Sequence, residues 1–272
     1  MVINEVLNEV RLILKESNID PREARLLLAY SMGISQSDLI KAISCTEEEY
    51  NKCILATKRR AAGEPFAYIV GSKEFMKLKF IVNEHVLIPR DDTEILIEEA
   101  IKLKRKSILD MCTGSGCIAI SLAKYIENAC VEAVDISENA LEIARKNAEI
   151  NNVKVDFISS NLFENISNKY DLIVSNPPYI PSEYISDLQC EVKNEPHLAL
   201  DGGEDGLDFY RKISEQALNY LNDSGILMYE IGHDQGESVP NILKECGYED
   251  IRVIKDLSGN DRVVIARKGE VC

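Results

Sequence analysis

The chain has 272 residues, of which 45% are hydrophobic and 28% are charged, and its formal net charge at pH 7 is −15. That length allows one large domain and one small domain with a buried core, and the composition is that of a soluble globular protein. The excess of acidic residues disfavours direct binding to a nucleic-acid backbone, because a protein that binds such a backbone usually has a basic face.

The sequence shows no apolar run long enough to span a bilayer. Its start, MVINEVLNEVRLILKESNID, combines acidic residues with helical apolar spacing, which predicts a helix and not a secretory signal. We therefore expect a cytoplasmic protein with reduced cysteines. Because the cysteines contain no Cys-x-x-Cys pair, we expect neither a metal site nor a disulfide framework. They are Cys45, Cys53, Cys112, Cys117, Cys130, Cys190, Cys246 and Cys272.

Residues 1–62 predict a small all-α helical bundle. Val6, Val10 and Leu14 repeat at helical spacing, and a second helix is expected to begin at Asp20-Pro21. The composition changes at residues 63–90. Here β-branched and aromatic residues alternate with polar ones, and Gly and Pro residues interrupt the pattern. This pattern predicts a β-hairpin that links two domains.

Residues 91–272 alternate strands with helices, which predicts an α/β fold with a parallel sheet covered on both faces. The last two strand-like segments, YEDIRVIKDLS and DRVVIARK, are joined by the short turn GN and predict an antiparallel C-terminal hairpin at one edge of the sheet. Together they predict seven strands. The first five are expected at SILDMC, CVEAVDI, VKVDFIS, YDLIVSN and GILMYEI.

A glycine-containing loop follows the first of these strands. Gly114 and Gly116 allow the backbone to approach a ligand closely and a helix to pack on the strand. Asp135 ends the next strand, where a carboxylate accepts hydrogen bonds from both ribose hydroxyls of a nucleoside. Ser137 is expected to cap the following helix and so to leave Asp135 free. A turn with two glycines and a capping Asp is the alternative without a ligand.

The third strand is followed by Asn161, whose amide is suited to an adenine edge, with Leu162 or Phe163 lying on the ring. A turn-forming Asn is an equal alternative at this position. Because the nucleotide-binding pattern tolerates Ala119 as its last small residue, the loop alone does not exclude a dinucleotide. A dehydrogenase, however, needs a catalytic His, Lys or Tyr beside the nicotinamide, and the chain offers a different motif.

That motif is Asn176-Pro177-Pro178-Tyr179, directly after the fourth strand. The residue before a proline is held extended, and the two prolines have no N–H, so the turn presents acceptors. The Asn176 side-chain oxygen and the Pro177 carbonyl suit the two N–H groups of a planar amide or arylamine, with Tyr179 over its face. Such a nitrogen becomes cationic as it attacks a sulfonium methyl, so fixed acceptors favour the transition state. A rigid strand-to-loop connection is the alternative.

These motifs resemble the peptide-chain release factor glutamine methyltransferases of the HemK/PrmC type, and the resemblance covers nearly the whole chain. GEPFAYIVGSKEF is similar to the family's linker, VLIPRDDTE to its lead-in, and DMCTGSGCIAI to its cofactor loop. VSNPPYIP is similar to its catalytic motif, and EPHLALDGGEDGLDFYR to the segment after it. The NPPY motif alone is shared with adenine-N6 and some guanine methyltransferases, whereas the linker and the ALDGGEDGL run are more specific.

The resemblance implies a Rossmann-like class I methyltransferase domain that uses S-adenosyl-L-methionine and releases S-adenosyl-L-homocysteine. It also implies N5-methylation of the glutamine in the Gly-Gly-Gln motif of class I release factors, which act in translation termination, with the helical residues 1–62 helping to hold that protein. Cofactor contacts are implied at Cys112, Thr113, Gly114, Ser115, Gly116, Asp135, Asn161, Leu162 and Asn176. Substrate contacts are implied at Asn176, Pro177, Pro178 and Tyr179, of which Asn176, Pro177 and Tyr179 are the catalytic candidates.

The chain departs from the family pattern at four positions. Cys112 replaces a usual Gly, Asn161 a common Asp, Leu162 a frequent aromatic residue and Asp91 a usual Pro. We expect the chemistry to persist because the backbone still turns and Asn161 keeps an acceptor, although Leu162 loosens the stacking on adenine. The alternatives are an adenine-N6 or guanine-N2 nucleic-acid methyltransferase and a non-enzymatic nucleoside-binding protein. We expect a monomer.

Overall fold

A computed structural model of the chain describes residues 1–269. Cys272, one of the cysteines for which we expect a free thiol, lies outside the described residues. The chain divides into two compact units: Met1–Gly71 with Gln189–Asn194, and residues 72–188 with residues from Glu195 onward. Across the 269 described residues, every helix is too short or too polar to traverse a bilayer.

The first unit is a helical bundle, as predicted. The buried positions of the first helix repeat every three or four residues, and Gly33, at φ 66°, ends the second. A reciprocal pair of hydrogen bonds between Thr46 and Glu49 starts the fourth helix. The helices are α1 (Ile3–Glu16), α2 (Ala24–Met32), α3 (Gln36–Leu39), α4 (Glu47–Ala61) and α5 (Phe66–Val70).

A distant segment, Gln189–Asn194, also belongs to the helical unit. Arg60 of α4 is only 2% exposed, and its guanidinium pairs with Glu23 at 2.6 Å and with Glu191 of that segment. The Asn194 side chain also donates to the Gly63 carbonyl at 3.0 Å. The predicted boundary at residue 62 falls between α4 and α5, both of which lie in this unit.

The predicted hairpin consists of β1 (Ser72–Phe75) and β2 (Leu78–Ile81), which pair antiparallel. Its two-residue turn, Met76-Lys77, has φ values of 49° and 58°. Positive φ at both central residues gives the turn whose twist matches that of the flanking strands. The hairpin therefore occupies only the middle of residues 63–90, because α5 occupies residues 66–70.

The second unit contains the predicted seven-stranded sheet, in the order β5-β4-β3-β6-β7-β9-β8. The first five strands in that order are parallel, and β9 runs antiparallel to both β7 and β8, which confirms the C-terminal hairpin at the edge. The strands are β3 (Ser107–Met111), β4 (Cys130–Asp135), β5 (Asp156–Ser159), β6 (Tyr170–Ser175), β7 (Leu221–Glu230), β8 (Tyr248–Lys255) and β9 (Asp261–Lys268).

Helices cover both faces of the sheet. Successive strand residues such as Ile108 and Leu109 belong to separate buried clusters, as expected for side chains that point to opposite faces. The chain order reverses between β3 and β6, which opens a crevice at the carboxyl ends of these strands. The helices of this unit are α6 (Thr93–Leu103), α7 (Cys117–Tyr125), α8 (Glu138–Ile150), α10 (Asp208–Tyr220) and α11 (Ser238–Glu245), whereas α9 (Cys190–Lys193) lies in the segment that belongs to the helical unit.

Candidate functional site

A cleft of about 940 Å³, part of it open to solvent, lies at the carboxyl ends of β3, β4 and β6. The cleft is lined by seven of the predicted site residues, namely Cys112, Gly114, Asp135, Asn161, Leu162, Asn176 and Pro178. The other five, Thr113, Ser115, Gly116, Pro177 and Tyr179, lie next to it in the chain but are not among its lining residues.

The two glycines of the loop have different structural roles. Gly114 has φ 54°, and a Cβ added to it would have no described atom within 4 Å, so the backbone at this position is open toward the cleft. A Cβ on Gly116 would lie 3.0 Å from Ile120 and 3.1 Å from Ala144, which are residues of α7 and α8. Gly116 therefore permits close helix packing. Cys112 has φ 62°, a left-handed conformation that favours glycine.

Asp135 is anchored by two backbone N–H groups. Its Oδ2 accepts from Gly114 N–H at 2.8 Å, and its Oδ1 accepts from Ser137 N–H at 2.9 Å. Ser137 caps α8 as predicted, since its Oγ accepts from Ala140 N–H, but the expectation that this leaves Asp135 free is wrong. Burial raises the pKa of Asp135, and the two N–H groups oppose that effect. A carboxylate has about four acceptor positions, so two remain for a ligand.

The apolar wall of the cleft differs from the expectation at one aromatic residue. Leu162 lines the cleft, whereas Phe163 is 2% exposed and stacks on Tyr220 with ring centroids 4.6 Å apart. Phe209 at the start of α10 supplies an aromatic side chain to the cleft instead. The exposed Asn161 side chain donates from Nδ2 to Glu164 at 2.8 Å, so its Oδ1 is the atom left for a ligand.

The NPPY turn is held rigidly by the loop after it. Ile180 N–H donates to the Leu200 carbonyl at 3.0 Å, and Gly202 N–H donates to the Ile180 carbonyl at 2.9 Å. The buried Gln235 side chain donates to the Tyr179 carbonyl at 3.1 Å. Tyr179 itself is half-buried and packs against the cluster beneath the sheet. Asn176 is half-buried, with its Nδ2 3.5 Å from Thr93 Oγ1.

The rim of the cleft is tied together by a buried carboxylate. Glu195 Oε2 accepts from Ile88 N–H at 3.0 Å, and Glu195 also pairs with Arg90. Arg90 and Glu195 therefore join two segments of the second unit. These segments carry the lining residues Val86, Leu87, Pro196 and Leu198. The start of the segment after the NPPY turn, residues 196–199, therefore contributes to the rim.

Sequence reasoning missed two buried acids, Asp110 in β3 and Glu230 at the end of β7. Both are fully or almost fully buried, and Asp110 Oδ1 and Glu230 Oε2 have no hydrogen-bond partner among residues 1–269. Burial raises the pKa of each to about 7. The sequence does contain a feature that could have identified them, namely a single acidic residue in an otherwise apolar strand, in SILDM and in GILMYE. Buried carboxyl groups with raised pKa values are typical of functional sites.

The raised pKa of Asp110 makes stability depend on pH. Its pKa is about 7 in the folded protein against an ordinary value of 3.8. The stability associated with the protonated form is therefore fully present below about pH 4 and is lost as the pH rises through about 7. We expect the wild type to lose stability relative to Asp110→Asn between about pH 4 and pH 7, in urea unfolding measured across that range. The exposed Asp156→Asn is the control, and a pH-independent difference for Asp110→Asn would contradict the prediction.

Comparison with known proteins gives the chain its family. Residues 5–71 match the PrmC N-terminal domain, and residues 91–191 match the methyltransferase small domain. A crystal structure of a methyltransferase from Pyrococcus furiosus has a TM-score of 0.56 and 22% identity, covering 72% of this chain and 91% of that one, which shows a shared fold.

Relatives from two bacteria match over most of their length. The release factor glutamine methyltransferase of Geobacter sulfurreducens is 42% identical, covering 98% of this chain and 97% of its own length. That of Streptococcus pneumoniae is also 42% identical and covers 88% of each chain. Since this similarity extends over both units, the chain belongs to the release factor glutamine methyltransferase family and is a methyltransferase enzyme.

Proposed function

We propose that this enzyme transfers a methyl group from S-adenosyl-L-methionine to N5 of the glutamine in the Gly-Gly-Gln motif of class I release factors. The observation that carries the proposal is the shared cleft: Asn176 and Pro178 line it together with Gly114 and Asp135. Asn176 suits an amide substrate, and Gly114 and Asp135 suit a nucleoside. The names of the full-length relatives support the choice of substrate.

The residues of the cleft fit this donor. Asp135 has two acceptor positions left for ribose hydroxyls, and the space beside Gly114, where a Cβ would meet nothing, admits a ligand against the backbone. Leu162 and Phe209 offer apolar surface for an adenine ring. When bound, S-adenosyl-L-methionine supplies an electrophilic methyl group on a cationic sulfur, so the protein contributes alignment and electrostatics.

At the substrate side, Asn176 Oδ1 and the Pro177 carbonyl are proposed to accept the two N–H groups of the glutamine amide. As the nitrogen gains positive charge, its N–H groups become stronger donors, so fixed acceptors stabilise the transition state more than the ground state. The main-chain bonds to Leu200 and Gly202 support this role because they fix the turn before the substrate arrives. That the Tyr179 ring lies over the plane of the substrate amide remains a prediction.

The direct test is methyl transfer from labelled S-adenosyl-L-methionine to a purified class I release factor, with peptide mass spectrometry to locate the label. We expect one methyl group on the tripeptide glutamine and none on a release factor in which that glutamine is alanine. Absence of label from the glutamine of the unmodified factor would refute the proposal.

Methylation of adenine N6 or guanine N2 in nucleic acid is not favoured. The net charge of −15 opposes binding to a phosphate backbone, and the relatives that match the whole chain are named for a protein substrate. The expectations of a cytoplasmic location and a monomeric state, and the role of residues 1–62 in holding the release factor, stay predictions.

A substitution behind the NPPY turn tests whether its rigidity matters. A Cβ on Gly202 would lie 2.7 Å from Tyr179 Cα and 2.9 Å from the Pro178 carbonyl oxygen, so Gly202→Ala must displace the turn. We expect a loss of about 1–3 kcal/mol in the free energy of unfolding from this overpacking, together with a fall in kcat.

Gly33→Ala is the matched control. Its Cβ meets no atom within 4 Å, but its left-handed backbone, at φ 66°, costs about 1–2 kcal/mol for a non-glycine residue. Both variants therefore lose stability in thermal unfolding, and only Gly202→Ala is expected to lose kcat. Equal kcat values for the two variants would contradict the link between the turn and the chemistry.

A further inference from the structure

Glu230 stands beside Asn176 at the carboxyl edge of the sheet. Parallel pairing of β6 with β7 sets Ser175 opposite Tyr229, so the next residue of each strand, Asn176 and Glu230, follows at the same level. Glu230 is 1% exposed. Asn176 Nδ2 lies 3.5 Å from Thr93 Oγ1. Burial raises the pKa of Glu230 to about 7, and the neighbouring Thr93, Arg262 and Asn176 oppose that effect.

This buried carboxyl group has no paired charge. Glu230 has no ion pair within 4 Å among residues 1–269, and its Oε2 has no hydrogen-bond partner there. Arg262, a basic group that acts on the pKa of Glu230, is itself paired with Asp92 at 3.2 Å and Asp256 at 3.3 Å. A buried carboxyl group without a paired charge reduces stability, so its presence next to Asn176 calls for a role in the site.

The two ends of the Asn176 amide are nearly equal in size, so packing alone does not choose which end faces the cleft. The Thr93 hydroxyl both donates and accepts, so it binds either end. In its ionised form the Glu230 carboxylate only accepts, so this form binds the NH2 end and leaves the oxygen for the substrate. The partner that selects the orientation is therefore the acid.

We propose that Glu230 is a positioning residue that accepts a hydrogen bond from Asn176 Nδ2 and thereby directs Asn176 Oδ1 into the cleft. This inference rests on the function proposed above and adds to it the group that orients the substrate-binding oxygen. Glu230 acts through Asn176 and does not touch the substrate.

Glu230→Met and Glu230→Gln form a matched pair of nearly equal size, of which only Gln keeps an acceptor. Since a hydrogen bond of this kind is worth roughly 1 kcal/mol or more, we expect Glu230→Met to lower kcat for release factor methylation about tenfold, with KM unchanged. We expect a smaller decrease of kcat in Glu230→Gln. The exposed Glu237→Met is the surface control and should keep the wild-type kcat. Wild-type kcat in Glu230→Met, or equal losses in Met and Gln, would overturn the proposal.

A double-mutant cycle separates positioning from a general loss of structure. If Glu230 acts through Asn176, Glu230→Met lowers kcat in the wild-type background and has no further effect in Asn176→Ala. The same loss in both backgrounds would mean that the substitution perturbs the fold, and it would overturn the proposal.

The hydrogen bond is also tested without substrate. The Asn176 side-chain NH2 signal is identified in ¹⁵N NMR spectra by its disappearance in Asn176→Ala, and we expect its exchange with water to be faster in Glu230→Met than in the wild type. Unchanged exchange would refute the hydrogen bond. If the wild-type enzyme fails to methylate a release factor, the proposed function falls, and this measurement still decides the role of Glu230.

Discussion

Replacing Asn176 by alanine is expected to lower kcat for methyl transfer by about 10²–10³-fold, the usual cost of removing one group that stabilises transition-state charge. Asn176 is half-buried at the end of β6 and lines the cleft. Its Oδ1 is proposed to bind an amide hydrogen that becomes more acidic as the methyl group is transferred. Because the acceptor matters most in the transition state, KM for the release factor should change little.

The measurement is single-turnover transfer of labelled methyl groups with enzyme and cofactor in excess over the release factor. Asn168→Ala is the matched control, since the exposed Asn168 amide donates to Glu132 at 2.6 Å far from the chemistry. If Asn176→Ala were as active as Asn168→Ala, the acceptor role of the NPPY turn would be wrong.

Replacing Asp135 by alanine is expected to weaken cofactor binding about 100-fold, because two hydrogen bonds to a charged group at about 1.5 kcal/mol each are lost. The same change leaves Gly114 N–H and Ser137 N–H without their acceptor. The glycine loop then loses the contact that holds it beside β4, so stability should also fall.

Isothermal titration with S-adenosyl-L-homocysteine measures this effect without catalysis. Asp156→Ala, at the exposed start of the neighbouring strand β5, is the control and should bind as the wild type does. Asp135→Asn keeps one acceptor oxygen and should bind more tightly than Asp135→Ala. Wild-type affinity in Asp135→Ala would exclude the carboxylate from the nucleoside site.

The strands of the sheet were predictable because they are buried on both faces. Parallel strands of this kind appear in a sequence as nearly continuous apolar runs, such as LIVS in β6, and they alternate with helical patterns. The cap at Ser137 and the hairpin at the C-terminal edge were predictable for a similar reason, since each depends on neighbours only a few residues away.

Contacts between distant residues were not predictable in the same way. The sequence left open whether Leu162 or Phe163 faces the ligand; the structure places Leu162 in the cleft, Phe163 against Tyr220, and Phe209 of α10 in the cleft as well. Asp135 was expected to be free, yet it binds the backbone of a loop on the neighbouring strand. The direction of a side chain after a strand depends on how helices pack over the sheet, which local patterns do not specify.

The sequence by itself determined the class of fold, the glycine loop and the NPPY turn, because proline and glycine restrict the backbone locally and apolar periodicity selects helix or strand. Only the tertiary structure decided that Glu230 stands beside Asn176 and that residues 189–194 belong to the helical unit. Both features arise from strand register and from packing between residues far apart in the chain. A local pattern of residue types specifies neither of these.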